Sequence, residues 1–295
     1  MDTEEITWIS INIVTLTISL PGNIFIIVVN IVDFFKNRRL LLSDQLIFGF
    51  SMVNILHALQ KWNILYKDLF HVVKNEYDKK AIYVFMYLNM CTLWFSTLLI
   101  LHFCLKIVNI NHRFYICLQR RFPKLFPWII ITFILGYFFL SLGSALDTNQ
   151  ECFLNKTFSA MDLPDSPRCY WPFLIFLIIC GLCSLFCSVS AMTIIISLLK
   201  HLNRIQKNTE SSRSPNMESH IRAVRTVTTL LAANILMFSS VFTVTMITPK
   251  AIYPFGIVIS ICHTFSSYFL IKGTRKLDKT LEHFLNHCSS SKNQW

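Results

Sequence analysis

Eight polar side chains lie within or near apolar stretches of this sequence: Asn23, Asn30, Asn54, His57, Asn89, His102, Asn234 and His263. Amides and imidazoles in apolar surroundings hydrogen-bond across helix interfaces, where each such tie averages under ~1 kcal/mol. Asn23 and Asn54 read as ties of this kind. Catalysis finds no support: there is no His-Glu-x-x-His pattern, no carboxylate pair, no glycine-rich phosphate loop and no acidic intramembrane dyad. No acidic residue stands at mid depth of an apolar stretch, which also weakens an ion pump or proton-coupled transporter. The chemistry that remains is recognition through hydrogen bonds, with no cofactor and no metal. Cys180, Cys183 and Cys187 follow helical spacing without a neighbouring His or carboxylate, so they read as small packing residues rather than metal ligands.

The elements that must position these groups are long and apolar. Residues 6–32, 81–105, 125–146, 171–199, 226–249 and 251–271 contain no Asp, Glu, Lys or Arg. A helix of about 20 apolar residues crosses a ~30 Å hydrocarbon layer. Residues 45–66 form a seventh, weaker candidate that Lys61 interrupts near one end, where a lysine can snorkel to the interface. The chain is 54% hydrophobic and 15% charged, against about 25% charged in a soluble domain. The expected fold is all-α: one seven-transmembrane helix bundle over residues 1–295, with 272–295 as a cytoplasmic tail.

Charge placement orients the bundle. Segments 33–44, 106–124, 200–225 and 272–295 hold nineteen of the 27 Lys and Arg, and positive loops stay in the cytoplasm. That puts the N-terminus outside and the C-terminus inside, in a plasma membrane. The net charge of +11 is thus a topology signal rather than a nucleic-acid footprint. The sequon Asn155-Lys156-Thr157 falls on the outer side, which makes Asn155 a glycosylation site. Cys152 and Cys169 share that outer loop, where a disulfide and two free thiols both stand open. Leu277, Leu281, Phe284 and Leu285 recur at i, i+4, i+7 and i+8, the stripe of a short amphipathic helix on the inner leaflet lipids. The basic flanks of 200–225 continue the fifth and sixth spans as helix, around a polar centre at 210–216.

Short pieces spread along the chain carry a resemblance. They are Gly22-Asn23-Ile24-Phe25-Ile26 with Val29-Asn30 and Asp33; Leu42-Ser43-Asp44-Gln45-Leu46; Trp94, Thr97 and Leu99; and Lys106-Ile107-Val108-Asn109 with Phe114, Leu118 and Arg120. Further on stand Ser197-Leu198-Leu199-Lys200-His201 with Gln206 and Asn208, then His220-Ile221-Arg222-Ala223, and finally Leu270-Ile271 with Lys276-Leu277. In order and spacing these resemble the bitter taste receptors (taste receptor type 2), G-protein-coupled receptors, over nearly the whole length. Phe103-Cys104-Leu105 replaces the acidic-Arg-aromatic triplet of commoner receptors, as in that family. The chain departs from the family at Asn54, where an Arg is usual, and at Thr274, where an Asn is usual. Vomeronasal type 1 receptors are the neighbouring alternative, and a small membrane transporter is the competitor from another class.

The resemblance implies a small-molecule agonist, probed by Asn89 in the outer half of the third span, with an aromatic at Phe85. A helix places Phe85, Met86, Asn89 and Leu93 on one face. Phe238, Phe242 and Ile259 are the expected opposite walls. Gly256 stands near the position where family members favouring cations carry an acid, so neutral agonists are expected. The resemblance also implies a heterotrimeric G protein with an inhibitory or gustducin-like α subunit. Lys106, Lys200, His201, His220 and Arg222 at the inner ends are the coupling candidates, and headgroup anchoring explains the same charges equally. The topology has a direct check: Asn155→Gln should abolish one glycan and increase gel mobility, whereas glycosylation of a sequon engineered into 208–216 would invert the orientation.

Overall fold

The structure, a computed structural model of the full chain, describes residues 3–69, 76–108, 113–146, 171–208, 215–246 and 252–292. They form eight helices and no strand: α1 (Thr3–Asn37), α2 (Leu42–Leu69), α3 (Glu76–Ile107), α4 (Arg113–Leu146), α5 (Trp171–Asn208), α6 (Pro215–Met246), α7 (Ile252–Gly273) and α8 (Arg275–Lys292). Among the described residues four segments are long and apolar enough to cross a membrane: Ile9–Asn37, Leu42–Tyr66, Tyr87–Ile107 and Ile178–Ser197. Val224–Ser240 and Ile257–Gly273 are shorter apolar stretches. Long helices are the form in which apolar segments satisfy every backbone hydrogen bond internally.

The helices close into a ring in which α1 packs on α2, α2 on α3, α3 on α5, α5 on α6, α6 on α7 and α7 back on α1. Helix α3 also touches α6 across the ring, and α4 leans on α3 from outside. The main core gathers Ile26, Leu46, Phe50, Leu99, Ile100, Ile194, Leu230 and Leu270, from α1, α2, α3, α5, α6 and α7. Outward faces are apolar as well: Ile18, Trp62, Trp128, Phe186 and Leu236 are all exposed, as lipid-facing residues would be.

Two details differ from the sequence expectation. Residues 113–124 are helical, so α4 begins well before the apolar run at 125. Buried Phe122 and Phe126, one turn apart, dock this basic segment on α3, with Phe122 stacked over His102 at 6.3 Å. Near the start of α4, the Tyr115 hydroxyl is shared between the carbonyls of Cys104 (2.8 Å) and Val108 (3.0 Å), closing the end of α3. Second, Lys61 does not run out to the interface. Its Nζ turns inward and donates to Ser260 Oγ at 2.7 Å, because an acceptor on α7 lies within reach.

Small residues set the closest approaches. A Cβ at Gly49 would strike the Phe95 ring, within 2.8 Å of Cζ, so α2 and α3 touch there at the limit of contact. A Cβ at Gly273 would likewise strike the buried Thr226 side chain of α6. Arg38 closes α1 at φ 57°, its N–H bonded to Phe34 O at 2.7 Å. Gly49→Ala should lower stability by about 1–3 kcal/mol through this overpacking. Thermal unfolding of the detergent-solubilised chain checks it, and Phe95→Leu in the same chain should recover part of the loss.

Candidate functional site

Asn89 lies in the half of α3 away from the basic loops, almost fully buried. Its Nδ2 donates to the Phe85 carbonyl one turn back (2.8 Å), leaving the oxygen free to face its neighbours. The face expected from the sequence divides at this point. Phe85 turns toward α2, its ring edge-to-face with His57 at 4.9 Å. Leu93 instead enters a second cluster with Met90 on α3, Cys180 and Cys183 on α5, Ala233 and Met237 on α6 and Cys262 on α7. Phe238 packs against that cluster, as expected of an opposite wall. Ile259 is buried on α7 but lies outside the cluster. The side chains of Met86 and Phe242 lie outside the described residues.

The sulfur residues pack here as the sequence suggested. Cys180 Sγ meets Met90 Sδ at 3.5 Å. Trp94, one turn beyond Met90, stacks on Phe133 of α4 at 4.0 Å and 5°. Asn234 ties three helices: its Oδ1 accepts from Ser96 Oγ of α3 (2.8 Å) and its Nδ2 donates to Cys187 Sγ of α5 (2.9 Å).

A larger polar group joins α1, α2 and α7. His263 Nδ1 pairs with Asn54 Oδ1 (3.0 Å), Asn54 Nδ2 with Asn23 Oδ1 (3.4 Å), and Asn23 Nδ2 with the Ser19 carbonyl (2.8 Å). His57 stacks on His263 at 4.5 Å. Nearby, Ser260 Oγ receives the Lys61 ammonium and donates to Asn12 Oδ1 at 3.0 Å. Asn54 thus serves without a buried charge as the junction of three helices. The individual residues were visible in the sequence; their mutual pairing depends on helix rotation, which no local pattern encodes.

The basic end of the bundle carries an arrangement that the coupling candidates did not include. Lys276 of α8 reaches Asp33 at the end of α1 (2.6 Å), Asp44 in the first turn of α2 (3.2 Å) and Asn30 (3.3 Å). Lys272 pairs with Asp278 at 2.8 Å. The lysine of the Lys276-Leu277 pair and the aspartates Asp33 and Asp44 all stood among the motif residues, which is the signal that could have joined them. Leu277 is buried and Leu281 packs on the core, whereas Phe284 and Leu285 are exposed, so the apolar stripe of α8 serves the bundle first and the outside next. Lys106 is exposed at the end of α3, and Lys200 is exposed on α5 about two turns before its end. The side chains of His201, His220 and Arg222 lie outside the described residues, as do Asn155, Cys152 and Cys169 entirely.

Removing Lys276 leaves the buried Asp44 carboxylate without its cation. Lys276→Met should therefore destabilise by about 1–3 kcal/mol, the range for a charge-assisted bond. Thermal unfolding of the purified chain reads this, and Asp44→Asn added to Lys276→Met should restore part of it.

Comparison with known proteins then places the whole assembly. A family model described as "Taste receptor protein (TAS2R)" matches residues 1–289. Taste receptor type 2 member 41 of Rattus norvegicus is 28% identical over 304 residues, covering 97% of each chain. Taste receptor type 2 member 40 of Gallus gallus is 28% identical over 92% of each chain, and member 2 of Homo sapiens 27% identical over 75% of each. With the match running from α1 into α8, the chain belongs to the taste receptor type 2 family.

Proposed function

We propose that this chain is a seven-span G-protein-coupled receptor for small, bitter molecules, set in the plasma membrane with its N-terminus outside. The family match over residues 1–289 is the observation that supports this reading most strongly. The agonist binds around Asn89, between α3, α5, α6 and α7, in the half of the bundle away from the basic loops. That region combines an amide with largely apolar walls, the usual mix of a small-molecule pocket with few orienting groups. Gly256, near the position where family members favouring cations carry an acid, supports neutral agonists.

At the basic end a heterotrimeric G protein with an inhibitory or gustducin-like α subunit docks on the inner ends of α3, α5 and α6. Lys106, Lys200, His201, His220 and Arg222 are the contacts we assign to it. Helix α8 rests on the inner leaflet through Phe284 and Leu285. An agonist acts only by binding the active arrangement more tightly than the resting one. Vomeronasal-type sensing and transport lose ground to the family match.

The test is a bitter-compound panel applied to cells expressing the chain with a promiscuous G protein. Neutral, moderately hydrophobic compounds should respond ahead of amines. Losing one neutral hydrogen bond costs about 0.5–1.5 kcal/mol, so Asn89→Ala should weaken potency roughly 2–13-fold. His201→Ala or Arg222→Ala should cut signalling while surface expression and agonist binding persist. Silence across the panel, with surface expression verified, would overturn the receptor reading; unchanged potency in both Asn89→Ala and Asn89→Leu would remove Asn89 from the pocket.

A further inference from the structure

Residues 81–146 contain no Asp or Glu, yet they carry Lys106, Arg113, Arg120, Arg121 and Lys124. The last four stand on α4. All four are exposed, and none makes an ion pair or a side-chain hydrogen bond among the described residues. Other cations at the basic end keep different company. Lys36, Arg38 and Arg39 at the α1–α2 turn stand near Asp33 and Asp44, and α8 carries Asp278 and Glu282 among its lysines. On α4 like charges gather with no carboxylate on their own helix. They repel one another until an anion from outside the chain joins them.

Their placement on α4 is one-sided. Phe122 and Phe126 are buried and Phe133 stacks on Trp94, so that face of α4 is taken by α3. At about 100° per residue, Arg120, Arg121 and Lys124 fall on the opposite face. Trp128, Ile131 and Leu135 continue it at i+4, i+7 and i+11 from Lys124. Trp128 is 70% exposed, and Ile131 and Leu135 are exposed as well. From Lys124 to Leu135 the helix rises about 16 Å, close to half of a ~30 Å hydrocarbon layer. A stripe of that length matches the acyl chains of one leaflet, and the cations at its end lie at headgroup level. Trp128, between the two, stands where an indole meets the interface. Because residues 113–124 are helical, cations and stripe share one register.

We propose that the outward face of α4 binds an anionic phospholipid whose headgroup carries phosphate monoesters. Arg120, Arg121 and Lys124 hold the phosphates, and Trp128, Ile131 and Leu135 lie along an acyl chain. A guanidinium grips phosphate with two parallel N–H donors, and a monoester offers the most free oxygens and the most charge. A choline headgroup cancels the charge of its own phosphate, and a serine headgroup leaves a single net charge. Arg113, two turns back, adds to the attracting field. The lipid supplies the negative charge that α4 lacks, and it ties to the bilayer a helix that leans on the ring from outside. The site rests on the reading that puts this end at the inner leaflet; its binding test reads neither orientation nor signalling.

The experiment measures single lipids bound to the full chain, purified in detergent micelles, by native mass spectrometry. Phosphatidylinositol bisphosphate is compared with phosphatidylserine and phosphatidylcholine of the same acyl chains. The bisphosphate should bind tightest and the choline lipid weakest. Headgroup attraction is worth roughly 5-fold per cation, so Arg120→Gln, Arg121→Gln and Lys124→Gln together should weaken bisphosphate binding about 100-fold and leave choline binding unchanged. The same exchange at Lys36, Arg38 and Arg39 removes as many charges from the same end and should cost under ~5-fold. Equal losses from the two triple exchanges would reduce the effect to diffuse charge and overturn the proposal. So would equal binding of the three lipids, or binding of the chain-free headgroup inositol trisphosphate as tight as the bisphosphate lipid; both comparisons use the unmutated chain. A chain that holds the bisphosphate lipid here yet answers no bitter compound keeps the site and loses the receptor reading, and a responsive chain without lipid preference does the reverse.

Discussion

The carbonyl of Ser19 sets the orientation of the Asn23–Asn54–His263 chain that joins α1, α2 and α7. Because it can only accept, Asn23, Asn54 and His263 are left no choice about which atom faces which. In water such amides would turn freely, each orientation being met by solvent. Inside an apolar bundle the alternative to the observed orientation is an acceptor facing an acceptor, so the order propagates through three helices. The rotation of α2 and α7 about their axes follows from it, since Asn54 and His263 must point at one another. Once those rotations are set, Lys61 meets Ser260 and His57 meets Phe85, and the orientation of α3 is fixed through its contact with α2.

No single tie of this type holds the fold. Interhelical hydrogen bonds in membranes contribute well under ~2 kcal/mol each, and apolar burial adds little where lipid is as apolar as the core. Close packing supplies the rest, which is why Gly49 against Phe95 and Trp94 on Phe133 matter as much as the polar chain. The polar contacts choose one arrangement among many that pack comparably. Lys276 adds a tie of a different kind at the basic end, drawing α1, α2 and α8 together through two carboxylates.

Much of this was legible in the sequence, for reasons of period and charge. The apolar runs on α1, α2, α3 and α5 exceed what a soluble core needs, and the Leu277-Leu281 stripe could only be a helix with one wet side. The helical continuations of α5 and α6 past the apolar runs also followed from their basic flanks. What the sequence could not show was azimuth. Phe85, Asn89 and Leu93 share a face by counting, yet that face is wide enough for Phe85 to serve α2 while Leu93 serves α5 and α6. Lys61 was misread for a similar reason: snorkelling is the default for a lysine with no partner, and its partner lies 199 residues away. The early start of α4 was hidden because Arg120, Arg121 and Lys124 look like a loop until Phe122 and Phe126 are seen docked on α3.

The meeting of Gly273 with Thr226 has a mechanical consequence. Two bodies already in contact can separate but cannot come closer, so fluctuations of α6 against the end of α7 are one-sided. The energy rises steeply inward and gently outward, and the average position is biased away from the bundle axis as temperature or an applied load grows. With α8 held against α1 and α2 by Lys276, the yielding partner is α6. A glycine, by adding nothing to its side of the joint, sets where that travel begins.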